Sequence, residues 1–424
     1  MLKVYTFHWV FFVFILCAEV GISSTDHIYL GFFIYIYVAT IIILSTYTRA
    51  VSYFNSTKNI LPLKLRSIDL IPATFIFVWF YGLIVGLASG NDIVAITRNF
   101  AGMVLYSSYF ILRMSNLSSR FYISIFVVST FVNIVIPIAA IVASGGEVKY
   151  SVDEVGLMAF RFYFSPSQSV LLPAYALSLC AIFIRPRRDL SASLTLWHLF
   201  RGWRKYLTLV LCVVAGPIAS VSKGLILAFS IASTFTILAV LTRRFSRYKE
   251  VRRSIRTAIL VVLLFVLIVG VVSLITSDFG RVLMDAFSSE HEGNSLRNEQ
   301  RIELLGDINF YGHGLGAALS SGYSRDGLGY GFELSFENVI HKFGIASIFI
   351  FAAYVASFWH FFKAIFIPRL FVAGVAGFSG MLYLVPAAGN PTLFAPVCVA
   401  LHISLLLFLQ AENLDRSCIL PTKD

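Results

Sequence analysis

The chain is dominated by long apolar runs that follow one another with short polar connections. Apolar residues make up 58% of the sequence and charged residues only 13%, whereas soluble domains contain about 45–50% apolar residues. An apolar run of about 20 residues is long enough for a helix to cross a bilayer. The runs predict an all-α polytopic membrane protein with twelve spans near residues 7–22, 28–47, 68–88, 93–112, 121–142, 166–184, 206–221, 224–241, 257–277, 336–358, 371–388 and 393–410. This composition excludes a soluble globular fold.

The net charge of +11 is distributed unevenly along the chain. Most of the 33 Lys and Arg lie at the two termini and in the loops at 48–67, 113–120, 185–205, 243–256 and 359–370. Basic loops mark the cytoplasmic side of a membrane protein, so we predict that both termini are cytoplasmic. Because no basic soluble domain is present, the positive charge does not indicate nucleic-acid binding.

Residues 278–335 form one loop on the opposite side that is far longer than a connection between two helices needs to be. Long loops in compact proteins usually carry function. The loop is too small to be an independent domain. We therefore predict a single integral membrane domain, residues 1–424, in which the loop caps the outer face between the ninth and tenth spans.

The segment after Asn294 in this loop predicts a short helix, with Ser295 or Asn294 as its N-cap. Arg297 and Arg301 would then lie one turn apart on the same face. Two guanidinium groups so placed repel each other unless an anion lies between them, and each matches phosphate or carboxylate oxygens. Alternatively, nearby acids neutralise them on a solvated helix, namely Glu299 and Glu303 or Asp307.

A glycine-rich segment, Gly312-His-Gly-Leu-Gly, follows this helix. It is not a dinucleotide-binding fingerprint, because no strand-turn-helix unit surrounds it. The glycines instead predict a tight backbone path beneath the loop. His291, His313 and His341 lack the spacing of metal ligands, so we predict no metal site and no cofactor.

The chain re-enters the membrane through Phe332 to Gly344, where Glu333, Glu337, His341 and Lys342 recur at roughly helical intervals. Ionisable groups near a membrane tend to face a polar cavity or a partner. A partly desolvated carboxylate has a raised pKa, which makes Glu333 the candidate general base. Alternatively, Glu337 pairs with His341 or Lys342 within the same helix.

Two further cations precede membrane spans on the outer side. Lys223 opens the eighth span after a short turn, where its charge adds to the positive end of the helix dipole unless it holds an anion. Arg161 precedes the sixth span in the sequence Arg-Phe-Tyr-Phe-Ser-Pro-Ser-Gln. Alternatively, both side chains extend to the phosphates of lipid headgroups.

This order of motifs resembles the O-antigen polymerase and O-antigen ligase superfamily of bacterial envelope glycosyltransferases. The resemblance covers about residues 150–360 and rests on Arg161 before Ser-Pro-Ser-Gln, on Ser222-Lys223-Gly224, on Arg297 followed by Gly312-His-Gly-Leu-Gly, and on the segment from Glu333 to Gly344. The family's usual Ser-Arg-Gly is Ser-Lys-Gly here. A His-Asn pair that commonly begins the last segment in ligases is replaced at Glu333, which favours a polymerase.

The resemblance implies a metal-independent polymerase of lipopolysaccharide biosynthesis in the bacterial inner membrane. Such an enzyme transfers a growing glycan from undecaprenyl diphosphate to the sugar hydroxyl of a lipid-linked repeat unit at the periplasmic face. Catalytic roles then fall to Arg297, Arg301 and Glu333, and diphosphate binding to Lys223 and Arg161. The expected partners are the undecaprenyl-diphosphate-linked oligosaccharide, membrane lipids and a chain-length regulator.

Two other functions are compatible with the same pattern. An O-antigen ligase of the same superfamily would pass the finished glycan to lipid A core. A lipid-linked oligosaccharide flippase would move the substrate without chemical change, but transporters of that kind usually contain repeats in their two halves. The sequence shows no such symmetry, and the single long loop at 278–335 is asymmetric.

Overall fold

The computed structural model describes residues 11, 34–40, 43, 66–114, 118–143, 168–184, 200–218, 222–245, 292–323, 332, 334–390 and 392–414. Within these residues every regular element is a helix, and no strand is present. The helices are, in chain order, α1 (Leu70–Ala88), α2 (Ile93–Arg98), α3 (Tyr106–Met114), α4 (Ser119–Ala143), α5 (Leu171–Phe183), α6 (Arg204–Val213), α7 (Lys223–Phe245), α8 (Glu292–Gly306), α9 (Ser335–Phe343), α10 (Ser347–Ile365), α11 (Phe371–Met381), α12 (Leu384–Ala387) and α13 (Pro396–Leu414). The predicted all-α class is confirmed for this part of the chain.

Four helical segments are long and apolar enough to cross a membrane, which supports the predicted membrane class. They are Ser67–Ala88, Gly224–Arg243, Ser335–Ile365 and Pro396–Asn413. Shorter apolar helices occupy Ser119–Val135, Leu171–Phe183 and Phe371–Ala387. The spans predicted at 7–22, 28–47 and 257–277 lie largely or wholly outside the described residues. The count of twelve spans and the orientation of the termini stay predictions.

The span predicted at 93–112 is not one continuous helix. It is divided into α2, a 3-10 turn at Ala101–Leu105, and α3. The division follows from Phe100, which has a left-handed backbone with φ of 54°, a conformation that ends an α-helix. The apolar pattern alone could not reveal this break, because both pieces remain apolar.

Three other predicted spans are also interrupted. In the span predicted at 206–221, α6 ends at Val213 and is followed by a π-helical turn at Val214–Ile218, which contains Pro217. A 3-10 turn at Gly344–Ala346 separates α9 from α10, and two turn residues separate α11 from α12. Proline removes a backbone donor and disturbs the regular hydrogen-bond ladder, which accounts for the first interruption.

α13 is the central helix of the bundle, and nearly all of its side chains are buried. It packs against α11, α3 and α4, while α10 packs between α11 and α1. α1 lies at the periphery, where Phe77, Phe80, Ile84 and Leu87 are exposed. A row of large apolar side chains is costly in water, so this exposed face is consistent with contact to lipid.

A buried polar network lies where α1 begins and α3 and α13 end. Asp69 is fully buried and forms an ion pair with Arg113. The hydroxyl of Tyr109 and the amide of Gln410 donate hydrogen bonds to Asp69 Oδ1 over 2.8 and 2.9 Å. A buried charge is tolerated only when it is paired and hydrogen-bonded. The network therefore fastens three helices at the end of the bundle opposite to the C-terminus of α1.

Candidate functional site

α8 carries both predicted loop arginines and confirms the predicted helix in the 278–335 loop. It spans Glu292–Gly306, so it begins before the expected N-cap. The prediction of Ser295 or Asn294 as N-cap is wrong, because both residues lie inside the helix. An acid such as Glu292 in the first turn interacts favourably with the helix dipole, which is compatible with the earlier start.

Arg297 points from α8 toward the end of α12 and the residues that follow it. We name these residues, Pro386 to Asn390, the 386–390 turn. A Cβ placed on Gly389 would lie 3.8 Å from Arg297 Nε, at van der Waals distance, so the guanidinium lies close to this turn. Arg297 is partly buried, which shields its charge from water and strengthens its interaction with any anion nearby.

The beginning of α7 meets the same 386–390 turn. α7 starts at Lys223, as the sequence predicts for this span. A Cβ on the next residue, Gly224, would lie 2.7 Å from Pro386 Cα, so the glycine allows the two backbones to approach closely. The backbone of Lys223 is thus placed beside the turn that Arg297 also contacts. The side chain of Lys223 lies outside what the structure describes.

The start of α9 holds the other side of the 386–390 turn. The hydroxyl of Ser335 donates a hydrogen bond to the carbonyl of Asn390 over 2.6 Å. The amide of Asn390 donates in turn to the carbonyl of Pro386 over 2.8 Å. α8 is tied to the same place, because Leu334 N donates to Gln300 Oε1 over 3.2 Å. Four elements, α7, α8, α9 and the turn, therefore meet at one end of the bundle.

Arg301 does not face the 386–390 turn in the same way as Arg297. Its Nε lies 2.8 Å from Glu337 Oε1 in an ion pair that joins α8 to α9. Neutralisation by an acid was one of the alternatives for these arginines, but the acid is Glu337 and not Glu299, Glu303 or Asp307. The alternative in which Glu337 pairs with His341 or Lys342 is wrong for the same reason.

We expect this ion pair to contribute little to stability, because the Arg301 side chain is 47% exposed. Exposed pairs contribute about 0.2–1 kcal/mol. A double-mutant cycle with Arg301→Met and Glu337→Gln, followed by SDS unfolding titration, should give a coupling free energy in that range. A coupling of about 3 kcal/mol or more, typical of breaking a buried pair, would contradict the prediction.

The second oxygen of Glu337 is available for a ligand. Glu337 Oε2 is buried and has no hydrogen-bond partner among the described residues. A buried acceptor without a partner costs free energy, and a hydroxyl group entering the site would relieve that cost. The arrangement can thus combine a partly buried cation, Arg297, with a carboxylate oxygen of Glu337 that accepts a hydrogen bond from a hydroxyl group.

The glycine-rich segment follows the tight path that the sequence predicts. Gly312, Gly314 and Gly316 all have φ of +76°, which other residues rarely adopt. Leu315 N donates to the carbonyl of Gly82 in α1 over 2.9 Å. A Cβ on Gly316 would lie 2.6 Å from Ile96 N of α2. The segment is therefore pressed against the ends of α1 and α2.

Lys342 is fully buried beneath the loop. Its Nζ donates a hydrogen bond to the carbonyl of Ala317 and lies 5.0 Å from the centre of the Phe332 ring. A carbonyl dipole and an aromatic face both stabilise a buried ammonium group. Lys342 thus holds the loop on α9 rather than facing a ligand.

Asp307, His313 and His341 form a compact group that sequence spacing did not predict. His341 Nε2 lies 3.0 Å from Asp307 Oδ2, and the two imidazole rings are stacked with centroids 4.6 Å apart. Burial alone would raise the pKa of Asp307. Hydrogen bonds from Ser320 and His341 outweigh this effect and lower the pKa to about 2. Asp307 is therefore ionised at neutral pH.

Two of the five predicted site residues lie outside the described residues, namely Arg161 and Glu333. The roles assigned to them stay predictions. Arg297 and the backbone of Lys223 are brought to the same turn, and Arg301 is one helical turn from Arg297. The 386–390 turn itself was missed, although the sequence Ala-Gly-Asn-Pro after residue 387 is a recognisable turn signal.

No family model matches this chain, and no similar curated protein was found.

Proposed function

We propose that the protein is a polysaccharide polymerase of the O-antigen type in the bacterial inner membrane. It would transfer a growing glycan from undecaprenyl diphosphate to the sugar hydroxyl of a lipid-linked repeat unit at the periplasmic face. The observation that carries the proposal is the approach of Arg297 and the start of α7 to the same 386–390 turn. The predicted catalytic residue Arg297 and the backbone of the predicted diphosphate ligand Lys223 therefore lie beside the same turn, which supports the proposal.

The chemistry needs positive charge where the diphosphate leaves. The acceptor hydroxyl oxygen attacks the anomeric carbon of the donor sugar, and the bond from that carbon to the diphosphate oxygen breaks. Undecaprenyl diphosphate departs with the bonding electrons, so negative charge develops on its oxygens. A fixed guanidinium in a partly buried site stabilises that charge in the transition state. Arg297 is placed for this role, with Lys223 and Arg161 as further predicted diphosphate ligands.

The attacking hydroxyl must also lose its proton. We assign this step to Glu333, as the sequence analysis predicts. Glu337 lies four residues further along the chain, in the first turn of α9, and its buried Oε2 can accept a hydrogen bond from the same sugar. Because Arg301 pairs with the other oxygen of Glu337, Arg301 orients this carboxylate and acts on the substrate only through it. We therefore reassign Arg301 from a catalytic to a positioning residue.

Deletion of the gene from its source bacterium tests this function against its two alternatives. A polymerase deletion should leave lipid A core capped with a single repeat unit. A ligase deletion would leave bare core while long glycan accumulates on undecaprenyl diphosphate. A flippase deletion would leave bare core with single repeat units trapped on the cytoplasmic side. Either of the last two patterns, seen by gel electrophoresis of lipopolysaccharide and lipid extracts, would refute the polymerase proposal.

A further inference from the structure

Asp307, His313 and His341 each place one potential metal-ligating atom in the same small region. All three atoms lie within 4.8 Å of one another. The shortest separation joins Asp307 Oδ2 and His341 Nε2 at 3.0 Å, and Asp307 Oδ2 lies 3.9 Å from His313 Nε2. The residues come from three separate places, the end of α8, the glycine-rich segment and α9. Their convergence is thus produced by the fold and not by local sequence.

Hydrogen bonds order the backbone around the group and orient the Asp307 carboxylate. His313 N donates to the carbonyl of His341 over 3.0 Å, and Gly314 N donates to the carbonyl of Lys342 over 2.9 Å. These bonds hold the glycine-rich segment alongside α9. Ser320 N donates to Asp307 Oδ2 over 3.1 Å and orients the carboxylate. A ligand set positioned by its surroundings before binding is a property of built metal sites.

The two separations at Asp307 Oδ2, 3.0 and 3.9 Å, lie on either side of the value that a tetrahedral ion requires. With metal–ligand bonds of about 2.0–2.1 Å, tetrahedral geometry places neighbouring ligand atoms about 3.3–3.4 Å apart. The carboxylate oxygen would move from His341 by a few tenths of an ångström and approach His313 by roughly half an ångström. Rotation of the Asp307 and His313 side chains, which are 17% and 26% exposed, would supply both movements. Binding would also turn the His313 ring out of its stack on His341 and break the 2.6 Å hydrogen bond between His313 Nε2 and the carbonyl of Asp307.

The donor types select the class of ion. Two imidazoles and one carboxylate suit zinc and similar transition-metal dications, whereas Mg²⁺ and Ca²⁺ prefer sites built from oxygen atoms. His341 is fully buried, so an ion bound to its Nε2 would be screened from water on that side of the site.

We propose that Asp307, His313 and His341 bind one zinc-class dication, which fastens the end of α8 and the glycine-rich segment to α9. Three protein ligands leave a fourth position for water on the exposed side of the group. The ion is structural. The glycan transfer proposed above does not use the ion. A failure to bind metal would therefore not refute glycan transfer, and a failure of glycan transfer would not refute metal binding.

Titration of purified full-length protein with Co²⁺, followed by competition with Zn²⁺, tests the site. Co²⁺ in a tetrahedral site shows visible absorption that hydrated Co²⁺ lacks. We expect one equivalent of Co²⁺ to produce this spectrum in chelator-treated protein in detergent, and one equivalent of Zn²⁺ to abolish it. Asp307→Asn and His341→Ala should each weaken binding at least tenfold, because each removes a ligand. His360→Ala, a matched change in α10, should bind as tightly as the wild-type protein.

Thermal unfolding with and without Zn²⁺ provides a second measurement that does not depend on the spectrum. Zn²⁺ should raise the Tm of the wild-type and His360→Ala proteins, because an ion that binds only the folded state stabilises it. It should leave the Tm of Asp307→Asn unchanged. Asp307→Asn keeps the size of the side chain, and its elution in size-exclusion chromatography reports whether it is folded. Absence of one-equivalent binding, or equal binding by wild type and Asp307→Asn, would overturn the proposal.

Discussion

Arg297→Ala should lower the rate of glycan elongation by about 10²–10³-fold, the loss that follows removal of one donor to a developing oxyanion. Arg297 is partly buried beside the 386–390 turn, where its charge is less screened than at the surface. The loss should appear in kcat, because the charge on the departing diphosphate is largest in the transition state. Elongation of lipid-linked repeat units, extracted from the source bacterium and supplied to the reconstituted protein, measures it.

Two comparisons separate this role from a general effect on folding. Arg297→Lys keeps the charge but loses the two-pronged guanidinium geometry, so its activity should lie between those of wild type and Arg297→Ala. Arg369→Ala makes the same chemical change at an exposed residue between α10 and α11 and should retain wild-type elongation. Equal rates for Arg297→Ala and wild type would remove Arg297 from the active site. If Arg297→Lys were as slow in elongation as Arg297→Ala, the packing of the arginine side chain and not its charge would account for the loss.

The two arginines of α8 should differ in a way that only the structure could predict. Both lie on one helix a turn apart, and the resemblance to O-antigen polymerases implies a catalytic role for both. Glu337 neutralises Arg301, whereas Arg297 lies against the glycine of the 386–390 turn. Helical spacing places two side chains on one face, but the partner of each is decided by α9 and by a turn that is distant in sequence. The helical period therefore predicted α8 correctly, but it did not predict that Glu337 is the ion-pair partner of Arg301.

Features encoded by short stretches of sequence were predictable, and features that depend on distant contacts were not. Apolar runs located α1, α7 and α13, and the glycines at 312–316 correctly indicated a tight backbone path. The break at Phe100 was missed because its cause is tertiary, since the adjacent Asn99 faces the glycine-rich segment across 217 positions in sequence. Asp307 and His341 likewise meet only after α9 folds back beneath the loop.

Asp69→Asn should destabilise the protein by about 3–5 kcal/mol, the usual cost of removing one partner from a buried ion pair. Asp69 is fully buried, and only 9% of the Arg113 side chain is exposed. An asparagine keeps the size of the side chain but cannot balance the arginine's charge. The remaining contacts from Tyr109 and Gln410 cannot replace that charge, because both groups are neutral. SDS unfolding titration of the purified variant measures the loss.

A second substitution distinguishes the cost of an uncompensated charge from the value of the pair itself. Asp69→Asn combined with Arg113→Met removes both charges, and replacing a buried pair by apolar groups is often nearly neutral. The double variant should therefore recover much of the stability lost in Asp69→Asn. Asp92→Asn makes the same change at the exposed N-cap of α2 and should alter stability by less than about 0.5 kcal/mol, because asparagine caps helices as well as aspartate. If Asp69→Asn costs no more than this control, the polar network does not hold the ends of α1, α3 and α13 together.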